Sequence, residues 1–266
     1  MISPIQNMKP KNLLPLSAAL LALLFGTSGA SAQTSADHAA ELLKKNDLPA
    51  AEALLAPLTG ADSKDAAAFF QLGQLRLRQQ KANEAVAAFE KATVLDSTQP
   101  EYFSQLGIAI SMKMQGANFM VQAVTAPKMK KAFEKAVALD PNHIGGLIGL
   151  ARYYSNAPEI AGGSLEKAAE FATRVQKLNP SLGESELGRI AERGEDFASA
   201  LGHYEAADKL RPGQAGTILA SGRMLAKLGR TDEARARFEA ALKINPELES
   251  AKKALAELSA PAVSKG

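Results

Sequence analysis

The sequence predicts an all-α fold in which helix-turn-helix units repeat along the chain, and three observations support it. Leu72-Gly73 and Leu106-Gly107 lie 34 residues apart, in two stretches that otherwise align. A stripe of alanines around one aromatic residue follows at helical spacing. Prolines come soon after these stripes, where a helix must end because proline cannot continue its hydrogen bonds. The pattern favours an extended array of small units over one large core.

The second helix of each unit is predicted from its alanine stripe. Ala85, Phe89 and Ala92 fall at positions i, i+4 and i+7, which share one face of a helix. A ring flanked by alanines suits a close helix crossing, because small residues let two backbones approach. Later stripes are Phe133/Ala136, Ala200/Tyr204/Ala207 and Ala234/Phe238/Ala241, and the facing small residues of the first helices are Gly73, Gly107, Ala151, Gly188 and Gly222.

These motifs, in stretches such as "FFQLGQLRLRQQKANEAVAAFEKATVLD" and "ASGRMLAKLGRTDEARARFEAALKINP", resemble the tetratricopeptide repeat family. The resemblance implies a right-handed superhelical solenoid. We predict six units, at residues 35–62, 66–99, 100–143, 144–180, 181–212 and 213–246, then a capping helix at 247–259 and a disordered tail at 260–266. The third unit carries a ten-residue insertion and the fourth a five-residue insertion.

The first 32 residues have the features of a cleavable signal peptide. Lys9 and Lys11 precede a short apolar run at 13–25, and Ala30-Ser31-Ala32 provides a small-x-small cleavage site. The run is shorter than the roughly 20 residues that a membrane-spanning helix needs. We therefore expect cleavage after Ala32 and export to a bacterial periplasm, with an uncleaved N-terminal anchor as the alternative.

Composition and motifs argue against several function classes. Without the signal peptide the chain has 29 basic and 28 acidic residues, and this net charge of +1 gives no indication of nucleic-acid binding. It has no cysteine for disulfides or thiolate metal sites. His38, His143 and His203 lie in different units without metal-ligand spacing. No catalytic or nucleotide-binding motif appears, so we predict a non-enzymatic protein without cofactor or metal.

A Gly-Gly-Ser sequence at 162–164 raises the question of a phosphate site. A phosphate-binding loop would follow a strand and continue into a lysine and a hydroxyl residue. Here Pro158 breaks a helix, the two glycines turn the chain, and Ser164 is placed to cap the next helix. We interpret the stretch as a structural connector, with anion binding at the helix N-terminus as the alternative.

The family resemblance implies that the first helices line a concave groove for a partner's peptide or helix. The residue after each small crossing residue would face this groove, as would the residue one turn later. The predicted groove residues are Gln74, Arg78, Ile108, Met112, Arg152, Asn156, Arg189, Arg193, Arg223 and Lys227. Their charges predict a basic C-terminal half that binds an acidic segment or a chain-terminal carboxylate. The alternative is that the arginines pair with nearby acids such as Glu186 and Glu192.

Methionines cluster at the ten-residue insertion. Met112, Met114, Met120 and Met129 are four of the five that remain after signal cleavage, and Phe119, Val121 and Val124 lie among them. Flexible thioethers make an adaptable apolar surface. One interpretation is therefore a hydrophobic partner-binding patch that includes Met112, Met114, Phe119 and Met120. Packing of a lengthened helix pair is the second interpretation, and a Cu(I) site is the third.

Gly145 and Gly149 lie one turn apart in a predicted first helix, where each costs about 1 kcal/mol relative to alanine. Tight helix packing is one explanation. A smooth groove floor beside Arg152 is the other.

The function predicted from the sequence is an exported, non-enzymatic scaffold that binds a protein or peptide segment in its groove. A periplasmic carrier of an organic acid or lipid is the alternative, and a closed apolar cavity near the third and fourth units would favour it. We expect no nucleic-acid partner and no membrane span after signal cleavage. The resemblance leaves room for a homo-oligomer, since tetratricopeptide arrays often dimerise through terminal helices.

Overall fold

The computed structural model describes the backbone of residues 28–259 and the side chains of residues 35–258 except Phe119. Within that range the chain forms thirteen α-helices and no strand, which confirms the predicted all-α repeat fold. The helices are α1 (Ser28–Lys44), α2 (Leu48–Leu55), α3 (Ala66–Arg78), α4 (Ala82–Leu95), α5 (Pro100–Met114), α6 (Phe119–Leu139), α7 (Ile144–Asn156), α8 (Leu165–Leu178), α9 (Pro180–Arg193), α10 (Phe197–Leu210), α11 (Ala215–Lys227), α12 (Thr231–Ile244) and α13 (Glu249–Ser259).

The predicted tail at 260–266 lies outside the described residues, as does all of the predicted signal peptide except its last five residues. Helix α1 begins at Ser28, inside the segment that the sequence assigns to the signal peptide. Among the described residues, no helix combines the length and the apolar character that crossing a membrane requires.

The helices stack in two layers. Consecutive helices pack against each other along the array, as α3 does with α4 and α4 with α5. The first helix of a unit also contacts the first helix of the next, as α5 does with α7 and α7 with α9. Because its members approach one another in this way, the first-helix layer is the inner side of the curved array. We call the surface formed by α3, α5, α7, α9 and α11 the first-helix face.

Side-chain caps mark the start of several helices. Asp65, Asn118 and Ser164 accept hydrogen bonds from backbone N–H groups in the first turns of α3, α6 and α8. The predicted cap at Ser164 is thus confirmed, with its Oγ accepting from the Lys167 amide at 3.1 Å. The Gly-Gly-Ser stretch belongs to a connector between two helices, in which Gly162 adopts a φ of +83°.

Rings pack on glycines where the two helices of a unit cross. A Cβ added at Gly73 would lie 2.5 Å from the Phe89 ring, and one added at Gly107 would lie 2.5 Å from the Phe133 ring. Distances this short mean that only glycine fits beside each ring. Within their own units, Gly188 likewise faces Tyr204 and Gly222 faces Phe238, while Gly149 of the fourth unit faces Phe133 of the third.

The two insertions lengthen different parts of their units. Helix α6 has 21 residues where α4 has 14, and it begins fourteen residues before Phe133 whereas α4 begins seven residues before Phe89. The extra turns are therefore at the N-terminal end of α6. In the fourth unit, residues 157–164 form a connector that contains the short 3-10 helix Glu159–Ala161. Tyr153 fixes this connector to α7, because its Oη donates to the Ala161 carbonyl at 3.0 Å.

Candidate functional site

A buried carboxylate lies at the centre of the first-helix face. Glu186 of α9 is 3% exposed and accepts hydrogen bonds from Arg152 of α7 at 2.5 Å and from Arg189 at 2.6 Å. Burial alone would raise the pKa of this carboxyl, but the two guanidinium groups outweigh burial and hold the pKa below its usual value. Glu186 is therefore a charged group that links two first helices and fixes the position of both arginines.

Two further arginines extend this arrangement. Arg193 Nε donates to the Ser155 carbonyl of α7 at 3.3 Å, and Arg223 Nη2 of α11 lies 3.9 Å from Glu192 Oε2. These contacts place cationic side chains from α7, α9 and α11 on one continuous surface.

Tyr204 of α10 positions Glu192, the second acid on this surface. Its Oη donates a hydrogen bond to Glu192 Oε2 at 2.9 Å. Burial and the adjacent carboxylate raise the pKa of this phenol, so it stays a neutral donor. Glu192 is therefore positioned by a hydrogen bond from α10 as well as by Arg223.

The ion pairs do not neutralise the surface. We call Arg152, Arg189, Arg193, Arg223 and Lys227 the basic patch. Two acids, Glu186 and Glu192, contact it, while α7 and α11 contain no acidic residue at all. Arg152 has a side-chain exposure of 53%, and it uses two of its five N–H donors on Glu186. The patch keeps a net positive charge and free donors on the solvent side.

The arginines that form these ion pairs also remain partly exposed to solvent. The pairing with Glu186 and Glu192 that the sequence offered as the alternative is present. Because Glu186 is buried beneath its partners, it orders Arg152 and Arg189 without covering their outer edges. Arg152 and Arg189 are therefore both paired with an acid and partly exposed to solvent.

The N-terminal half of the predicted groove is different. Arg78 is exposed, whereas Gln74, Ile108 and Met112 are half-buried. A cleft of about 430 Å³ opens beside Met112. It is lined by Gln80, Lys81, Ala82, Asn83, Glu84, Met112 and Lys113. Five of these seven residues are polar or charged, and the cleft lies at the second and third units, whereas a small-ligand carrier would need an apolar cavity at the third and fourth units.

The structure divides the methionine-rich segment. Met114 and Met129 are half-buried and pack against the core around Phe89 and Ile110, while Met120 is 71% exposed near the start of α6. The side chain of Phe119 is not among those described. Packing therefore accounts for Met114 and Met129, and Met120 belongs to a separate exposed surface.

The histidines have partners that local spacing could not reveal. His143 Nδ1 accepts from the Gly146 amide at 3.0 Å and so caps α7, which leaves Nε2 to donate to Glu101 at 2.9 Å. His203 Nδ1 lies 2.7 Å from Glu184. No group of three or more His, Cys, Asp or Glu side chains within the described part of the chain is arranged to hold a metal ion.

Sequence reasoning also missed an aromatic and cationic cluster beside the connector. Lys130 Nζ of α6 lies 5.7 Å from the Tyr153 ring centroid and 5.3 Å from that of Tyr154. Tyr154 stacks on Phe171 with centroids 5.7 Å apart. The Tyr-Tyr pair ahead of Pro158 was the available signal, but it indicated only the end of a helix.

Known proteins share this architecture. Tetratricopeptide repeat models match residues 37–100 and residues 193–258. The structure resembles a tetratricopeptide repeat protein from Thermus thermophilus, with a TM-score of 0.60, 19% identity, and coverage of 73% of this chain and 98% of that chain. It also resembles PilW, a type IV pilus biogenesis factor, with a TM-score of 0.69, 17% identity, and coverage of 85% and 98%. A comparison with curated proteins gives no match.

The fold is thus that of a helical repeat solenoid. The chain carries tetratricopeptide repeats, because models of this repeat match at both ends of the described array. The structural similarities lie below 20% identity and show the fold alone. Proteins of this family are generally non-enzymatic scaffolds for protein interactions.

Proposed function

We propose that this protein is an exported scaffold whose basic patch binds an acidic segment of a protein partner. The observation that carries the proposal is the charge distribution of the first-helix face. Five cationic side chains come together from α7, α9 and α11, and among the described residues two acids form ion pairs with them. The excess charge lies on the inner layer of the solenoid.

The order imposed on the arginines supports recognition of carboxylates. A guanidinium group can donate two parallel hydrogen bonds to one carboxylate. Glu186 already holds Arg152 and Arg189 in place, so a ligand would not have to restrain them at its own cost. The solvent-facing N–H groups of these arginines are therefore already oriented to donate hydrogen bonds to a carboxylate of the partner.

The spacing of the first helices indicates what kind of segment fits. Arg152 lies on α7 and Arg189 on α9, two first helices that contact each other, and packed helices are about 10 Å apart. An extended chain advances about 3.3 Å per residue. Acidic residues about three positions apart along an extended segment would therefore meet successive arginines.

Export is the second part of the proposal. The positive start, the short apolar run and the Ala-Ser-Ala site at 30–32 support it. The partner is accordingly expected in the periplasm, either as an exported protein or as an exposed segment of a membrane complex.

The test is capture of partners from a periplasmic extract with the chain from Gln33 onward. The informative variant combines Arg223→Glu and Lys227→Glu, because neither residue contacts the buried Glu186 and the fold should be retained. The matched control, Lys209→Glu with Lys243→Glu, makes the same charge change at exposed ends of the second helices α10 and α12. Circular dichroism verifies helicity for all three proteins.

We expect wild type and the control variant to capture the same protein. The variant with Arg223→Glu and Lys227→Glu should retain about tenfold less of that protein, since a loss of about 1.4 kcal/mol in binding corresponds to a factor of ten. Added salt should weaken capture, because it screens exposed charges. Equal capture by the groove variant would refute the basic patch as the binding surface.

A further inference from the structure

The N-terminal end of α6 exposes apolar side chains beyond the packed part of the third unit. Met120 is 71% exposed and Val124 is 68% exposed, and Val121 beside them is also exposed. Large apolar side chains of this kind are usually buried in folded proteins. The extra turns of α6 thus form an apolar tip, which we define as Met120, Val121 and Val124.

Lysines follow the apolar tip along the same stripe of the helix. Met120, Val124 and Lys128 are at positions i, i+4 and i+8, and Lys131 lies on that stripe one turn later. Lys128 is about 6 Å and Lys131 about 10 Å beyond Val124 along the helix axis. Both lysines are exposed, and neither forms an ion pair among the described residues. The segment 112–133 contains four lysines and no acidic residue.

The connector of the fourth unit adds a second apolar point at this edge of the solenoid. Ile160 is 97% exposed. Lys130 of α6 contacts the Tyr153 ring, and Tyr153 bonds to Ala161, the neighbour of Ile160. The connector therefore lies beside the middle of α6. Two exposed acids, Glu159 within the connector and Glu166 in the first turn of α8, are close to it in sequence.

We infer that the apolar tip docks on an anionic lipid surface, with Lys128 and Lys131 against the lipid phosphates. The apolar and cationic groups are separated along the helix axis and not around it. A bilayer surface has the same order in depth, because acyl chains lie beneath a layer of charged headgroups. Ile160, beside the middle of α6, gives a further apolar contact in the headgroup layer.

A protein groove fits these groups less well. A helix that binds in such a groove presents an apolar stripe at i, i+3, i+4 and i+7, but on α6 lysines replace apolar residues after two turns. Three or four small apolar groups would give peripheral and reversible attachment, which each lysine near an anionic surface strengthens. This inference does not depend on partner binding at the basic patch.

A tryptophan reporter tests the inference in the full-length chain, which contains no natural tryptophan. Val124→Trp places one reporter in the apolar tip, and Val94→Trp places the control on α4, where Val94 is 80% exposed. Emission is recorded with vesicles of phosphatidylglycerol and phosphatidylcholine and with vesicles of phosphatidylcholine alone. The emission reports only the surroundings of the tryptophan itself. Membrane binding through residues 13–25 would therefore not by itself change it.

We expect Val124→Trp emission to move to shorter wavelength with the anionic vesicles and to be quenched by brominated acyl chains. Val94→Trp emission should not change, and adding Lys128→Glu and Lys131→Glu to Val124→Trp should abolish the shift. Unchanged Val124→Trp emission would overturn the inference, as would equal shifts at both reporters. A shift of Val124→Trp emission that appears at higher protein concentration without vesicles would also overturn the inference, because a second copy of the chain would then cover the apolar tip.

Discussion

Helix α7 is joined to its two neighbours in the inner layer by different chemistry. Towards α5, the Phe133 ring lies between Gly107 and Gly149, close enough that a Cβ at either position would overlap it. Towards α9, the Glu186 carboxylate lies between Arg152 and Arg189. The first junction depends on shape and the second on charge.

The difference separates a structural role from a binding role within one layer. The Phe133 ring is buried and presents nothing to solvent, whereas the arginines around Glu186 keep exposed donors. The apolar junction should tolerate no change of volume and should be insensitive to pH. The charged junction should respond to pH and is the one at which a ligand can compete.

Removing the ring is the strongest way to break the apolar junction. Phe133→Ala should lower the free energy of unfolding by about 3–5 kcal/mol, because it removes a buried ring and leaves a cavity between α5 and α7. Urea unfolding followed by circular dichroism measures the loss. Val94→Ala, at an exposed site, should change little. A loss below about 1 kcal/mol for Phe133→Ala would show that neighbouring side chains refill the space.

Adding a single methyl group tests the shape dependence directly. Gly149→Ala would place Cβ 2.3 Å from the Phe133 ring, which Gly107 confines on the other side. We expect a loss of about 1–3 kcal/mol from overpacking. The control Gly202→Ala lies in the interior of α10 with nothing within 4 Å of the added Cβ, and it should stabilise by about 0.5–1 kcal/mol. Effects of the same sign at both sites would contradict the proposed packing.

The charged junction is tested through its pH dependence. Because the folded-state pKa of Glu186 is lowered, its charge contributes stability above the unfolded-state pKa of about 4.3, and this contribution is lost as pH falls through the folded value. Glu186→Gln should therefore be about 1–2 kcal/mol less stable than wild type at pH 7, an estimate reduced for the exposure of its partners.

The difference between wild type and Glu186→Gln should shrink as pH falls below about 4. Unfolding midpoints in urea between pH 3 and pH 7 measure it. The deficit of Phe133→Ala, in contrast, should be the same across that range. A constant difference for Glu186→Gln would show that its charge does not link α7 to α9.

Much of the fold could be predicted because its determinants are local. The facing pairs Gly73/Phe89 and Gly107/Phe133 recur with the repeat, and Ser164 caps α8 as expected. Gly149 was harder, since the sequence allowed either a packing role or a groove floor. The structure places it against Phe133, whose ring contacts two first helices at once.

The candidate site was predicted in part. The basic residues of the patch follow from the repeat period, because equivalent positions of successive first helices fall on one face. That Glu186 is buried beneath Arg152 could not be predicted, since the two residues are 34 positions apart and burial depends on how closely α7 and α9 approach. The same holds for His143 and Glu101, which are 42 positions apart.

The sequence alone determined the helical repeats, their order, the small residues at the crossings and the sign of the charge along the first-helix face. These properties depend on spacing within a helix and between units, which the chain carries directly. The tertiary structure decided which arginines are held by a buried acid and which methionines are covered. Met114 and Met120 have the same side chain, but Met114 ends α5 and packs against the core around Phe89, whereas Met120 lies on the part of α6 that extends past its neighbours and is exposed.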